Sequence, residues 1–264
     1  MTPYYQDDAV TLYHGDLATV LPQLGQFDAC VADPPYGQTS LTWDRWPDRW
    51  PYLIAAHTRS LWCFGTFRMF WTKRNEFANW KMSQDVVWDK VIASSVTTDR
   101  FRRRHEIAAH FYRGAWGDIH HDLPKVASDG PGRKAIGRPV KAGGNRVYGG
   151  FKDGSSWTSD GTRYLHSVLT FKRDDHRGRI NQTQKAVAVL EPLIQYAVPP
   201  GGVVLDPFAG SASTGIAARN LGRRAVLIEV REDQCEAAAK RLAQGPIPFP
   251  LPLLAQPRID EVGE

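Results

Sequence analysis

The chain predicts an α/β fold, a doubly wound and mostly parallel sheet carrying one inserted region. Two observations lead there. Short apolar runs of strand character alternate with stretches of helical periodicity, the pattern of βα units. Two of those runs end in sharp turns led by an aspartate: Asp33-Pro34-Pro35-Tyr36 follows Ala29-Cys30-Val31-Ala32, and Asp206 to Thr214 follows Val203-Val204-Leu205. In an open parallel sheet such turns meet at the carboxyl ends of the strands, where ligands bind. A third observation places the insertion. Residues 99–179 hold 17 Lys plus Arg against 9 Asp plus Glu, whereas the whole 264-residue chain is only +5.

In chain order, strands are expected near 10–13, 27–32, 61–66 and 84–88, alternating with helices near 17–24, 48–58 and 67–80. A hairpin-like pair ends with Glu106 to Tyr112 and leads into the insertion. That segment is basic, carries the glycine pairs Gly143-Gly144 and Gly149-Gly150, and interleaves Trp116, Tyr148, Phe151, Trp157 and Tyr164. Cations neutralise phosphates while planar side chains meet bases, so 114–165 is expected to read double-stranded DNA. Arg133, Lys134, Arg138, Lys141 and Arg146 are its candidate contacts, with Arg102, Arg103 and Arg104 at its entrance.

Beyond the insertion, Thr183 to Ala197 is expected to be a helix with Val187, Leu190, Leu193 and Ile194 on one face. The strand 203–205, a turn of small residues, a helix over 215–221 and a strand over 225–228 ending in Glu229 complete a nucleotide-binding half. The tail from Gly245 carries Pro246, Pro248, Pro250 and Pro252 and should be extended, against the core or a partner subunit, so a homodimer is considered. The expected organisation is 1–113 for the catalytic half, 114–165 for the insertion, 166–244 for the cofactor half and 245–264 for the tail.

The first turn has a specific chemistry. The lone pair of a base's exocyclic amine is delocalised into the ring, and two acceptors aimed at the amine hydrogens would localise it. The Asp33 carboxylate supplies one; the Pro34 carbonyl, held by a ring that fixes φ, supplies the other. Pro35 stiffens the turn, and Tyr36 offers a face for an unstacked base. In the second turn, the small residues Ala209, Gly210, Ser211, Ala212 and Ser213 let a ligand approach the backbone at a helix start, Asp206 can accept from an amine or hydroxyl, Pro207, Phe208 and Thr214 are further candidate ligand contacts, and Glu229 is placed for ribose hydroxyls. No GxGxxG occurs, which weighs against a dinucleotide oxidoreductase.

Taken together, DPPY at 33–36 and DPFAGS at 206–211 resemble the DNA amino-methyltransferases, in the beta-group order with the catalytic tetrad first. TLYHGDL, YGQTSLTWD, VVWDK, RRHEIAAHFY and RYLHSVLTF also look familiar there. The resemblance implies a fold of the S-adenosylmethionine-dependent methyltransferase type, that cofactor, a DNA substrate and transfer to adenine N6. N4-cytosine, and a DNA-binding relative with an inactive site, are the alternatives. It implies that Asp33, Pro34, Pro35 and Tyr36 are catalytic and that Asp33 also borders the cofactor. Asp16 would approach the cofactor's adenine, and Thr183, Gln184 and Lys185 its methionine part, with Lys185 on the carboxylate. The chain departs from the family at Asn181-Gln182 and Ala186, where prolines flank the TQK segment, and at Ala212, where glycine is usual.

Three widely spaced cysteines, Cys30, Cys63 and Cys235, suggest neither a disulfide framework nor a zinc site. No metal is expected. The absence of a basic-then-apolar leader or an apolar run of about 18 residues predicts a cytoplasmic chain.

Overall fold

The computed structural model of the chain describes residues 1–92, 98–127, 134–136, 156–158, 161–172 and 184–245. The chain forms two compact units, Met1–Leu123 with His166–Pro250, and Pro124–Leu165 with Leu251–Glu264. The boundary expected at 114 therefore falls at 124. Residues 115–122 belong to the first unit because they pack there: Trp116 sets its ring edge-on to Tyr112 at 5.0 Å, and Asp122 N–H donates to the Tyr196 carbonyl at 2.9 Å.

The first unit is built on nine strands, in chain order β1 (Tyr5–Gln6), β2 (Val10–His14), β3 (Ala29–Ala32), β4 (Ser60–Gly65), β5 (Lys81–Asp89), β6 (His105–Tyr112), β11 (Val168–Thr170), β12 (Val203–Asp206) and β13 (Arg224–Glu229). The second holds β7 (Lys125–Ala127), β8 (Lys134–Ile136), β9 (Ser156–Thr158) and β10 (Thr162–Tyr164). The sheet order is β1-β2-β13-β12-β3-β4-β6-β5-β11. Strands β2, β13, β12, β3 and β4 run parallel, β6 is antiparallel to both β4 and β5, and β11 adds parallel to β5. Its centre is buried all along: β3 and β4 are buried at every position, as strands covered on both faces must be.

Helices α1 (Leu17–Val20), α2 (Trp50–Ile54), α3 (Phe67–Thr72), α4 (Val187–Ala197), α5 (Ser213–Asn220) and α6 (Glu232–Ala243) accompany the strands. Four are shorter than expected, α1 because it gives way to a 3₁₀ turn over Leu21–Gln23. Pro51 sits in the first turn of α2, which closes at Ala55; α3 gives way at Lys73 to a 3₁₀ turn over Arg74–Phe77; and residues 184–186 precede α4 instead of forming its first turn. Helix α4 is buried nearly all round, Val189, Glu191, Pro192 and Tyr196 included, so the single apolar face expected for it understates its burial. Helix α6 was not anticipated. Its polar face hid a buried stripe of Cys235, Ala238 and Leu242.

One face of the sheet packs Trp50, Ile54, Met69, Phe77 and Trp80 onto Leu61, Cys63 and Phe111, with the Phe77 and Phe111 rings stacked at 4.7 Å. On the other side α5 approaches closely at Gly215, where an added Cβ would meet Leu227 Cδ1 at 3.0 Å and Val10 Cγ1 at 3.1 Å. In the second unit, β7 pairs antiparallel with β10 and β8 with β9.

Candidate active site

The chain leaves β3 toward β4 and leaves β12 toward β13, so the crevice between β3 and β12 is the switch point of the sheet. Asp33 is the first residue past β3, and Asp206 is the last of β12. The two aspartate turns therefore face each other across the crevice where such folds bind ligands.

Asp33 anchors a chain of charges. Its Oδ1 accepts the Tyr36 hydroxyl at 2.8 Å, and its Oδ2 is paired with the Lys185 ammonium. Lys185 Nζ lies 3.2 Å from Glu106 Oε2 and 5.2 Å over the Phe64 ring; Glu106 Oε1 in turn pairs with Lys90 Nζ at 2.9 Å. The side chains of Lys185 and Lys90 are 9% and 4% exposed. Four charges of alternating sign thus run from the tetrad to the end of β5, and the alternation offsets desolvation that no single ion there could bear. Burial alone would raise Glu106, but the ammoniums of Lys185 and Lys90 outweigh it and hold the group down at about 2. Burial likewise opposes the charged form of Lys185, yet Asp33 and Glu106 keep its pKa above the ordinary lysine value. Asp33 itself is pushed up by burial against the pull of Lys185. Burial and the Asp33 charge push the Tyr36 phenol up as well, so it remains a donor.

A second carboxylate shapes the loop after the tetrad. Buried Asp44 accepts the backbone N–H groups of Gly37 and Gln38 at 2.8 and 2.9 Å and of Thr39 at 2.7 Å. Gly37, at φ 66°, makes the turn that aims these donors inward. The donors outweigh the burial of Asp44 and lower its pKa. The Gln38 amide then reaches Thr66 Oγ1 at 3.1 Å, clasping the loop to the end of β4.

The β12 side is organised by short-range bonds. Asp206 Oδ2 accepts the Thr214 hydroxyl at 2.5 Å, and Oδ1 accepts Phe208 N–H at 3.0 Å. Glu229 accepts Gly210 N–H at 2.8 Å and Arg231 N–H at 2.9 Å. Arg241 of α6 ties the turn from behind, donating to the Ser211 carbonyl and to Ser213 Oγ, both at 2.9 Å. Pro207 and Ala209 are buried, and Phe208 sets its ring against Trp50 at 5.2 Å. Ala212 adopts the left-handed conformation at φ 61°. The position does require the geometry that favours glycine, and an alanine there carries strain of about 1 kcal/mol. Burial drives Asp206 up to about 7, a carboxylate enclosed with hydroxyl and amide donors. Such a group fits a ligand that brings a cation. Glu229, with one bond to each oxygen, keeps lone pairs for hydroxyl donors.

The predicted residues assemble in part. Asp16 caps α1, accepting Ala18 N–H at 2.8 Å, while Gly15 N–H donates to the Glu229 carbonyl at 2.9 Å, which brings the segment alongside Glu229. Pro34 is buried beside half-buried Pro35, and Gln184 is buried next to Lys185. Lys185, expected on a cofactor carboxylate, is engaged by Asp33 and Glu106. Arg102 and Arg103 are exposed, and Arg104 pairs with Asp89. Thr183, Arg133, Arg138, Lys141 and Arg146 lie outside the described residues, and Lys134 is described only as part of the β8 backbone. Glu106, Lys90 and Asp44 were missed as site residues. The available signal was a lone acid in a strand, HEIAAHFY, whose centre is apolar. His105 and His121 are exposed, and His120 is half-buried. Among the described residues no group of three or more His, Cys, Asp or Glu side chains could hold a metal ion, and no helix is long and apolar enough to cross a membrane.

The family model described as DNA methylase, of the N6/N4 methyltransferases, matches residues 27–240, and the chain belongs to that family. It is 28% identical over 269 residues to the type II methyltransferase M.ScaI of Streptomyces caespitosus, covering 91% of this chain and 83% of that one. Among solved structures it is similar to the M1.HpyAVI complex with S-adenosylmethionine, with a TM-score of 0.59 at 20% identity, covering 88% of this chain and 98% of the other. It is also similar to the cytosine-N4-specific PvuII DNA methyltransferase, with a TM-score of 0.57 at 14% identity over 90% and 88%. Both likenesses concern the fold.

Proposed function

We propose that this chain transfers a methyl group from S-adenosylmethionine to the exocyclic N6 of adenine within a specific duplex DNA sequence, acting on a base rotated out of the stack. The observation that carries this reading is the juxtaposition at the switch point: the Asp33 tetrad on β3 faces the enclosed Asp206 and Glu229 carboxylates at β12 and β13. S-adenosylmethionine, when bound, supplies an electrophilic methyl group on a positively charged sulfur. Asp206 suits its ammonium and Glu229 its ribose hydroxyls, while the small residues 209–213 admit it to the backbone.

Asp33 performs the selective work. Tyr36 and Lys185 take one position on each of its oxygens, which leaves further lone pairs for an amine hydrogen. The Pro34 carbonyl takes the other hydrogen. With both hydrogens held, the nitrogen lone pair would be drawn out of conjugation with the ring and left available to the methyl group that the cofactor would supply, and most of the rate would come from positioning and charge complementarity. Opening the base pair costs a few kcal/mol, which the DNA contacts must supply. Tyr36, tethered to Asp33 by its hydroxyl, gives the base a fixed ring to rest on.

Adenine is favoured because an aspartate heads the tetrad, which in the resemblance goes mostly with adenine. The test is to digest DNA from cells producing this chain and to identify the nucleosides by mass spectrometry. N6-methyl-2′-deoxyadenosine is the expected product. N4-methyl-2′-deoxycytidine in its place would overturn the base assignment and leave the role of Asp33 standing.

A further inference from the structure

Helix α3 begins at the end of β4, on the sheet edge that carries Asp33, and its cap Thr66 is the residue clasped by Gln38. From Phe67 to Asn75 the sequence is FRMFWTKRN, three cations and no acid. The helix buries Met69 and turns outward two aromatic rings, Phe67 at 69% and Trp71 at 64% exposure, stacked at 6.3 Å with 22° between their planes. The Arg74 guanidinium lies 5.6 Å over the Trp71 ring, and Arg68 is exposed between the two aromatics. Large apolar side chains seldom sit in the open beside one another, and an exposed pair rimmed by cations marks a binding surface.

We infer that this face of α3 binds the DNA beside the target nucleotide, Arg68 and Arg74 taking backbone phosphates and the Phe67 and Trp71 rings meeting the sugars and bases next to the opened pair. The inference rests on the methyltransferase reading above and adds a DNA surface to it outside the 114–165 insertion. Charge selects this occupant. A polyanion complements the exposed Arg68 and Arg74, and flat aromatic faces beside arginines are what unstacked nucleotides engage. A second copy meeting this face across a twofold axis would set one cationic face against an identical one. Helical side chains also lean toward the helix start, which here is the rim of the crevice.

The test measures duplex affinity of the full chain at several salt concentrations for wild type, for Arg68→Gln with Arg74→Gln, and for Phe67→Ala with Trp71→Ala, with sedimentation of each. The arginine pair should lower the salt slope by about 0.9 per lost phosphate contact. The aromatic pair should weaken binding about tenfold at every salt with the slope kept. S-adenosylmethionine binding and melting temperature should hold, because all four side chains are exposed. Wild-type affinity and slope in both variants would overturn the inference while the methyltransferase reading stands. A change in sedimentation without a change in DNA affinity would assign the face to a second copy instead. A wild-type chain that neither binds nor methylates duplex would sink both.

Discussion

The two sides of the crevice are built on different principles. On the β12 side the bonds of the carboxylates are the shorter-range ones: Asp206 binds residues 2 and 8 positions away and Glu229 reaches back 19, with Arg241 of α6 bracing the turn from behind. Most of its partners are backbone amides, so the turn builds its own site. On the β3 side the decisive partner of Asp33 is Lys185, 152 residues away, and the charge is relayed through Glu106 to Lys90. A local site depends on its own turn, whereas a relayed one depends on the whole sheet being closed. The cofactor side should therefore tolerate substitution one residue at a time, and the catalytic side should respond as a unit.

Replacing Asp33 tests this most severely. Asp33→Ala should lower kcat by at least about 100-fold, because the lost acceptor acts on charge that develops in the transition state. It also leaves Lys185 with Glu106 alone. Single-turnover methylation together with S-adenosylmethionine titration checks it, and a near-normal rate would remove Asp33 from its role.

Glu106→Gln comes next. It removes the carboxylate that Lys90 and Lys185 share, leaves Lys185 with Asp33, and should cost about 3 kcal/mol of stability, read by urea unfolding, with a loss of kcat that exceeds any rise in KM. Glu106→Gln combined with Lys90→Met restores charge balance and should recover most of the stability but not the rate. Full recovery of both would reduce the relay to a folding device.

Asp206→Asn probes the local side. The folded group titrates at about 7 against an ordinary 3.8, so the charged form costs stability. That cost is absent below about pH 4, grows as pH rises toward 7 and is complete above it. Asn should therefore stabilise the fold at pH 8, by at most about 4 kcal/mol, and change little near pH 4. Cofactor affinity should fall at the same time. Thermal melts at the two pH values and calorimetric titration separate the effects.

Ala212→Gly should be the mildest change. It relieves the left-handed alanine at φ 61° but adds chain entropy to the unfolded state, for a net gain under about 1 kcal/mol. A loss of stability would mean that the buried methyl group contributes more by packing than the backbone loses in strain.

The comparison also marks how much was legible in advance. The turns after β3 and β12 and the strands around them could be read because each is encoded within a few residues, as strand period, turn chemistry and small side chains, whereas the departure at Ala212 was visible only against the family resemblance. Asp44 lay within reach of the same logic, eight residues past the tetrad, yet a single aspartate beside Trp43 gives no sign that three backbone amides converge on it. The short run of α2 follows from Pro51, but the burial of α4 on nearly every side does not follow from its apolar stripe. Helix α6 was missed because its inner face has just three apolar residues, Cys235, Ala238 and Leu242, beside the buried Arg241.

By itself, then, the sequence determined the α/β class, the two aspartate turns at the carboxyl ends of their strands and the basic excess of the middle segment, since local periodicity and composition suffice for these. Only the tertiary structure decided that Lys185 meets Asp33, that Glu106 and Lys90 complete the charge chain, and that Phe67 and Trp71 face outward at the crevice rim. Those facts depend on strand order. β3, β5 and β6 come together with the segment before α4 only once the sheet has closed, and the pairing of buried charges across such separations has no signature within any window of the chain.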